Sequence, residues 1–222
     1  MLHSLWSSFL DCLYPPKCPA CRAGVGRHGE WCLPCAQSVL AVRRISGVQH
    51  RLRYLDSCFI LCEYRGAVKR MLQDIKFRSN LKFVHHLTWL LTCYAGPARF
   101  SPVDVVIPVP LHDDRRKERG YNQSEEIYRN WVLNNGWSWS ADALIRDRHT
   151  EPLWGLPLCE RRSTVKGVFT VTGASVVSGA AVLLADDIFT SGTTMEECAR
   201  TLKKAGALRV TGIAIAGGQV GR

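Results

Sequence analysis

Two adjacent carboxylates, Asp186 and Asp187, end the apolar run that begins at Val182. Side-by-side carboxylates accept hydrogen bonds from the two hydroxyls of a diol, or bind a hard metal ion; they do not favour a phosphate. Next come Thr190, Ser191, Gly192, Thr193 and Thr194, hydroxyl donors around a glycine that lets the backbone approach a ligand. A helix starts there, because Met195, Cys198, Ala199 and Leu202 recur at i, i+3, i+4 and i+7. Its N-terminus offers unpaired N–H groups and the positive end of the helix dipole, which suits a phosphate. Thr193 with Glu196, and Thr194 with Glu197, fit capping boxes, and Gly206 fits a C-cap. A ribose 5-phosphate carries a cis-diol and a phosphate on one molecule. The same residues also fit an acidic turn between a buried strand and a capped helix, a Walker B strand, or an acidic receiver pocket. A Walker B strand needs a G-x-x-x-x-G-K-[ST] loop, and the chain has no Gly-Lys dipeptide.

A second constellation lies near the start. Cys18 and Cys21 form one C-x-x-C pair, Cys32 and Cys35 another, with ten residues between the pairs. Four thiolates in this spacing close a tetrahedral structural zinc site. The insert is shorter than in most zinc ribbons, but Gly24, Gly26 and Gly29 allow tight turns. Trp31-Cys32-Leu33-Pro34-Cys35 also looks like a thioredoxin active site, a motif that belongs after a strand. Cys12 and His28 lie nearby in sequence as spare donors, but neither is read as a metal ligand. Cys58, Cys62, Cys93, Cys159 and Cys198 lie in apolar surroundings and read as small core residues.

Several elements must hold these groups. Leu2, Leu5, Trp6, Phe9, Leu10 and Leu13 share one face of an N-terminal helix, which Pro15 and Pro16 end. Val39 to Arg53 carries Arg43, Arg44, His50, Arg51 and Arg53 without an acid, and reads as a basic connector. A strand is expected over Tyr54 to Tyr64, an amphipathic helix over Gly66 to Phe77 and a further helix over His85 to Tyr94. Val103 to Pro110 reads as a buried parallel strand. A basic loop follows, with Arg115, Arg116, Lys117 and Arg119, and then a helix from Asn122, its cap with Glu125, to about Asn134. This is a second strand–loop–helix unit, basic where the first is acidic. Arg146 to Lys166, with Arg148, Arg161 and Arg162, is a candidate for a mobile lid.

The chain has 222 residues, room for one α/β domain and a small appendage. It is 46% hydrophobic and 22% charged, as globular proteins are, with a net charge of +10. That charge favours acidic partners: nucleic acid, phosphorylated ligands or an anionic surface. Arg65 to Lys82 is its densest part, six basic residues against one acid, Asp74. No apolar run approaches the roughly 18 residues of a membrane span. No secretory signal is evident, so a reducing cytoplasm is expected.

The order of motifs resembles a family. The acidic pair and its loop resemble the phosphoribosyl pyrophosphate (PRPP) loop of type I phosphoribosyltransferases. Added to it are the tetracysteine head, a strand ending Val109-Pro110-Leu111, the run Lys117-Glu118-Arg119-Gly120-Tyr121-Asn122-Gln123, and Glu160-Arg161-Arg162 with Gly167 and Phe169. Together they resemble the ComF-type proteins, the ComFC/GntX group of amidophosphoribosyltransferase-like proteins linked to natural competence. Leu153, Thr164 and Ala185 stand where the family often has glutamine, asparagine and valine. The resemblance implies an α/β fold: a type I phosphoribosyltransferase-like parallel sheet flanked by helices over residues 54–222. The N-terminal helix, zinc module and basic connector occupy residues 1–53. It implies PRPP with magnesium in one pocket. Asp186 and Asp187 would hold the ribose; Val109, Pro110, Leu111 and Arg119 would take the pyrophosphate, and Thr190 to Thr194 the 5-phosphate. Structural zinc would sit on Cys18, Cys21, Cys32 and Cys35. Two functions follow. One is a competence protein that binds single-stranded DNA and meets DNA-uptake or recombination proteins, with Trp6, Trp31, Tyr64, Phe77 and Phe83 available for stacking. The other is an active cytosolic phosphoribosyltransferase without DNA contact.

Overall fold

A computed structural model describes residues 13–48, 50, 52–148 and 157–218. The expected N-terminal helix and the middle of the lid segment, 149–156, therefore fall outside the described residues, apart from Leu13.

The zinc module ends in helix α1, Leu33–Val39, which runs without a break into strand β1, Leu40–Ser46. Strand β2, Ser57–Glu63, leads to helix α2, Gly66–Arg78, and helix α3, Val84–Tyr94. Strand β3, Val105–Pro108, is followed by helices α4, Asp113–Arg119, and α5, Gln123–Asn134, and by the short strand β4, Ser138–Trp139. Strands β5, Leu144–Arg146, and β6, Phe169–Val171, pair antiparallel and enclose helix α6, Leu158–Val165. Helix α7, Ala174–Val177, precedes strand β7, Ala181–Phe189, helix α8, Thr193–Lys204, and strand β8, Arg209–Gly217.

The main sheet has the order β1-β2-β8-β7-β3-β4, with every neighbouring pair parallel except β1 with β2. Its inner strands are apolar on both faces because both faces are covered. Leu183, Ala185, Ile213 and Ile215 pack with Met71 and Ile75 of α2, Leu87 and Leu91 of α3, and Tyr128 and Trp131 of α5. Val182, Leu184 and Ala214, one residue out of phase, pack with Cys198, Ala199 and Leu202 of α8 and with Leu144 and Phe169. Alternation at period two thus sends successive side chains to two separate cores. No helix among the described residues is long and apolar enough to cross a membrane.

Four local expectations change. The basic connector contains β1, the edge strand of the sheet. Ile45 faces the core there, and Arg44 donates to Ser57 Oγ at 3.0 and 3.1 Å. Arginines suit an edge strand, where charge blocks further pairing. The basic loop after β3 is α4. Asp113 and Asp114 in its first turn and Arg116, Lys117 and Arg119 in its last match the helix dipole, and Gly120 ends it at φ 84°. The aspartate pair lies in the strand, as read, but β7 runs on past it to Phe189, so the loop starts later. Cys93, expected in the core, is exposed, whereas Cys58, Cys62 and Cys198 are buried.

The start of α8 also differs. Gly192, at φ 77°, is the N-cap and there is no side-chain cap, so neither capping box forms. Both glutamates take distant partners instead. Glu196 accepts the backbone N–H groups of Arg53 at 2.7 Å, Tyr54 at 3.2 Å and Leu55 at 3.0 Å. Glu197 accepts from Gly167 N–H at 2.6 Å and is paired with Arg200. At the other end Gly206 N–H bonds to Lys203 O and Ala207 N–H to Leu202 O, a Schellman closure with Gly206 at φ 99°.

Candidate functional site

The four module cysteines come together. Their sulfurs all lie within 4.8 Å of one another, and Cys21 Sγ is 3.6 Å from Cys32 Sγ. Tetrahedral ligation at about 2.3 Å puts sulfurs roughly 3.8 Å apart, whereas a disulfide needs about 2.05 Å. All four are free thiols, so the cluster fits zinc and not a pair of bridges. Two tight turns set the spacing: Arg22 N–H bonds to Cys18 O, and Ala36 N–H to Cys32 O. Burial works against a charged Cys18, but backbone N–H groups at Cys21, Cys32 and Ala20 outweigh it and lower its pKa to about 6. Burial and the neighbouring thiols push Cys35 up to about 12. A bound divalent cation removes this conflict by deprotonating its ligands outright.

The aspartates lie at the carboxyl end of β7, beside the end of β3. Asp187 is 4% exposed, and its Oδ2 is buried with no hydrogen-bond partner among the described residues. Asp186 Oδ1 accepts from Asp187 N–H at 2.8 Å and Ser124 Oγ at 3.5 Å. Burial and the neighbouring Asp187 charge push the Asp186 carboxyl well above the usual carboxylate range, against the pull of Lys76. Tyr128, fully buried, donates its hydroxyl to Asp186 O at 2.9 Å. Tyr64, just after β2, is raised by burial and by the charge of Asp187.

The loop beyond β7 bounds a cavity of about 200 Å³ with Asp186, residues 188–195 and Arg161 of α6. Gly192 is required there twice: its φ is 77°, and a Cβ would sit 2.7 Å from the Phe189 ring. Ser191 Oγ and Thr193 Oγ1 are 2.8 Å apart.

The second unit reaches the same edge of the sheet. Val109 N–H bonds to Ala185 O at 2.8 Å, and Asn122 Nδ2 donates to Val109 O at 3.0 Å, fixing the turn that contains Pro110 and Leu111. Asn122 also caps α5 through Ser124 N–H. Arg119 donates to Gln123 Oε1. Burial lowers its guanidinium pKa and the Asp187 charge opposes that, so the arginine feels the acidic pair. The residues singled out from sequence, from Val109 to Thr194, thus share one edge.

Tyr64, Lys76, Ser124 and Tyr128 were not among them. Lys76 reads as a solvated position on α2, and Ser124 and Tyr128 as ordinary positions of α5; only tertiary packing brings them to the aspartates. Of the aromatics considered for stacking, Trp31 is buried and donates its indole N–H to His86 O at 3.0 Å. Tyr64 faces the pair, Phe77 is exposed, Phe83 is half-buried, and Trp6 lies outside the described residues.

Comparisons with known proteins bear on both the cysteine cluster and the aspartate site. Residues 9–45 match the double zinc ribbon domain, and residues 98–221 match the phosphoribosyl transferase domain. The chain is 29% identical over 174 residues to competence protein F of Haemophilus influenzae, covering 72% of each. It is 26% identical over 197 residues to the DNA utilization protein YhgH of Salmonella typhi, covering 87% of the chain and 80% of the relative. To competence protein ComFC of Bacillus subtilis it is 26% identical over 204 residues, covering 85% and 78%. Among solved structures it resembles the allosteric regulatory enzyme of purine biosynthesis at 23% identity with a TM-score of 0.38, over 63% of the chain but only 25% of that enzyme.

Proposed function

Because the chain belongs to the phosphoribosyl transferase domain family, in a ComF-type arrangement behind a zinc ribbon, we propose that it binds PRPP with magnesium and acts in the uptake and use of external DNA. The observation that carries the ligand is Asp187 Oδ2, a buried acceptor without a donor, next to a carboxyl whose charge is resisted. A buried acceptor left unpaired costs about 1–3 kcal/mol, and a ribose diol supplies the missing donors. Thr190, Ser191, Thr193 and Thr194 with the α8 N-terminus bind the 5-phosphate. Arg119 and the Val109–Leu111 turn bind the pyrophosphate. Carboxylate and phosphate oxygens are the donors magnesium prefers, and the ion supplies charge neutralisation at the leaving pyrophosphate. Arg161 closes the pocket from the α6 side and excludes water. If transfer occurs, the aspartates stabilise positive charge developing on the ribose.

The competence relatives and the net charge of +10 support a role beside single-stranded DNA in the cytoplasm, together with uptake or recombination proteins. Calorimetry with PRPP and magnesium tests the pocket. The parent should bind, and Asp186→Ala/Asp187→Ala should bind at least about 100-fold more weakly while staying folded, a loss near 2.7 kcal/mol. Equal affinity in the double variant puts PRPP elsewhere. Pyrophosphate release from PRPP with candidate acceptors, single-stranded DNA included, detects transfer.

A further inference from the structure

A second cavity, about 630 Å³, is a groove between the zinc module and helices α2 and α3, away from the aspartate pocket. Lys17, Arg22 and His28 of the module line one wall. Arg70 of α2, with Lys82 and His85, lines the other. Lys17, Arg22 and Arg70 are exposed and have no ion-pair partner among the described residues. Among the described residues one acid lines the groove, Asp74, and Arg78 holds it at 2.8 Å. Phe83 lies half-buried between the walls, with Lys82 Nζ 5.4 Å from its ring centroid.

The walls are fixed against each other. A Cβ on Gly29 would lie 3.3 Å from His85 Cβ, so the module loop touches α3 directly. Trp31 donates to His86 O, and Cys18 and Trp31 share a core with Met71 and Leu87. Cations held across a groove from one another repel unless an anion fills it, and low-dielectric walls focus their field. Resting on the reading that this protein handles single-stranded DNA, we propose that this groove is where the strand binds, its phosphates between the two walls and a base stacked on Phe83. A recessed ring reaches only a base whose face is uncovered, so a single strand fits and a duplex does not. Neither wall suffices alone, and the zinc ligands Cys18 and Cys21 fix the backbone that carries Lys17 and Arg22.

The test is fluorescence anisotropy with a labelled oligothymidylate and the full chain. Contacts from four cations give a log–log salt slope of about −3, so affinity should fall about 50-fold between roughly 50 and 200 mM salt. Arg22→Glu on one wall and Arg70→Glu on the other should each weaken binding tenfold or more and flatten the slope. Phe83→Leu should weaken binding by about fivefold or more. Arg209→Glu, exposed and outside the groove, should change little. PRPP binding and thermal melting of each variant should match the parent. If the parent binds and both wall variants bind as well as it does, the strand lies elsewhere while the DNA reading stands. If the parent does not bind at all, that reading falls too. Equal groove-dependent binding of a duplex or of polyglutamate overturns the single-strand assignment.

Discussion

The tetracysteine cluster and the aspartate pair each gather groups that resist one another's charge. They resolve the conflict differently. In the zinc module the sulfurs lie within 4.8 Å of one another and one permanent cation satisfies all of them. At the end of β7 the carboxyls are only partly satisfied: Asp186 has two donors, and Asp187 Oδ2 has none among the described residues. The first arrangement holds the module together; the second leaves the hydrogen-bonding demand that the proposed ligand would meet. A structural site is complete at rest, whereas a binding site keeps an unmet hydrogen-bonding demand.

The sharpest way to break the comparison is to remove one ligand from the complete site. Cys21→Ser should abolish stoichiometric zinc and unfold the module, since structural zinc contributes on the order of 10 kcal/mol in zinc-finger peptides. Elemental analysis with thermal melting reads this, and retention of full zinc would show that the fourth sulfur is dispensable. At the open site the largest effect on stability should come from the loop, not from the carboxylates. Gly192→Ala places a Cβ at φ 77° and 2.7 Å from the Phe189 ring, a combined cost of about 2–3 kcal/mol. Chemical denaturation measures it, and a neutral result would mean the Phe189 ring moves aside freely.

Asp186 should behave oppositely to the zinc ligands. The Asp186 pKa is raised in the folded state, so the folded protein holds a proton that the unfolded chain has lost. The stability linked to this proton is complete below the unfolded carboxyl pKa of about 3.9 and is lost as pH rises toward the folded value. Asp186→Asn should therefore raise the melting temperature of the ligand-free protein at neutral pH and flatten its decline above pH 4, while weakening PRPP binding. A lower melting temperature at neutral pH would mean that the carboxylate, not the acid, is the form the fold prefers.

The same contrast explains what could be read from sequence. Zinc ligands come as two local pairs on short turns, so spacing alone discloses them. The strand–loop–helix at Val182 to Leu202 is local too, and its apolar phase identifies the elements. The caps of α8 depart from the local pattern because Glu196 and Glu197 prefer Arg53 to Leu55 and Gly167, partners 30 or more residues away. The helix α4 is not legible in the sequence because charges at helix ends look like a loop when no apolar face accompanies them. Lys76 and Tyr128 come from two different helices on one face of the sheet, and only the packing of α2 and α5 makes them neighbours of the aspartates.

Tyr128 supplies the finest probe. Its ring is fully buried against Trp131, with centroids 6.0 Å apart, and its hydroxyl donates to the backbone carbonyl of Asp186 at 2.9 Å. Tyr128→Phe keeps the ring and removes only the hydroxyl, so packing changes little. One hydrogen bond to a buried carbonyl is lost, at a cost of about 1 kcal/mol. If the hydroxyl serves to hold the strand end, stability should fall by that amount and PRPP affinity by only a few-fold, through looser orientation of Asp186. Denaturation and calorimetry on one preparation separate the two effects. An unchanged stability with a tenfold or greater loss of PRPP affinity would make Tyr128 a ligand contact instead, and the open site would then reach deeper into the core than the aspartates.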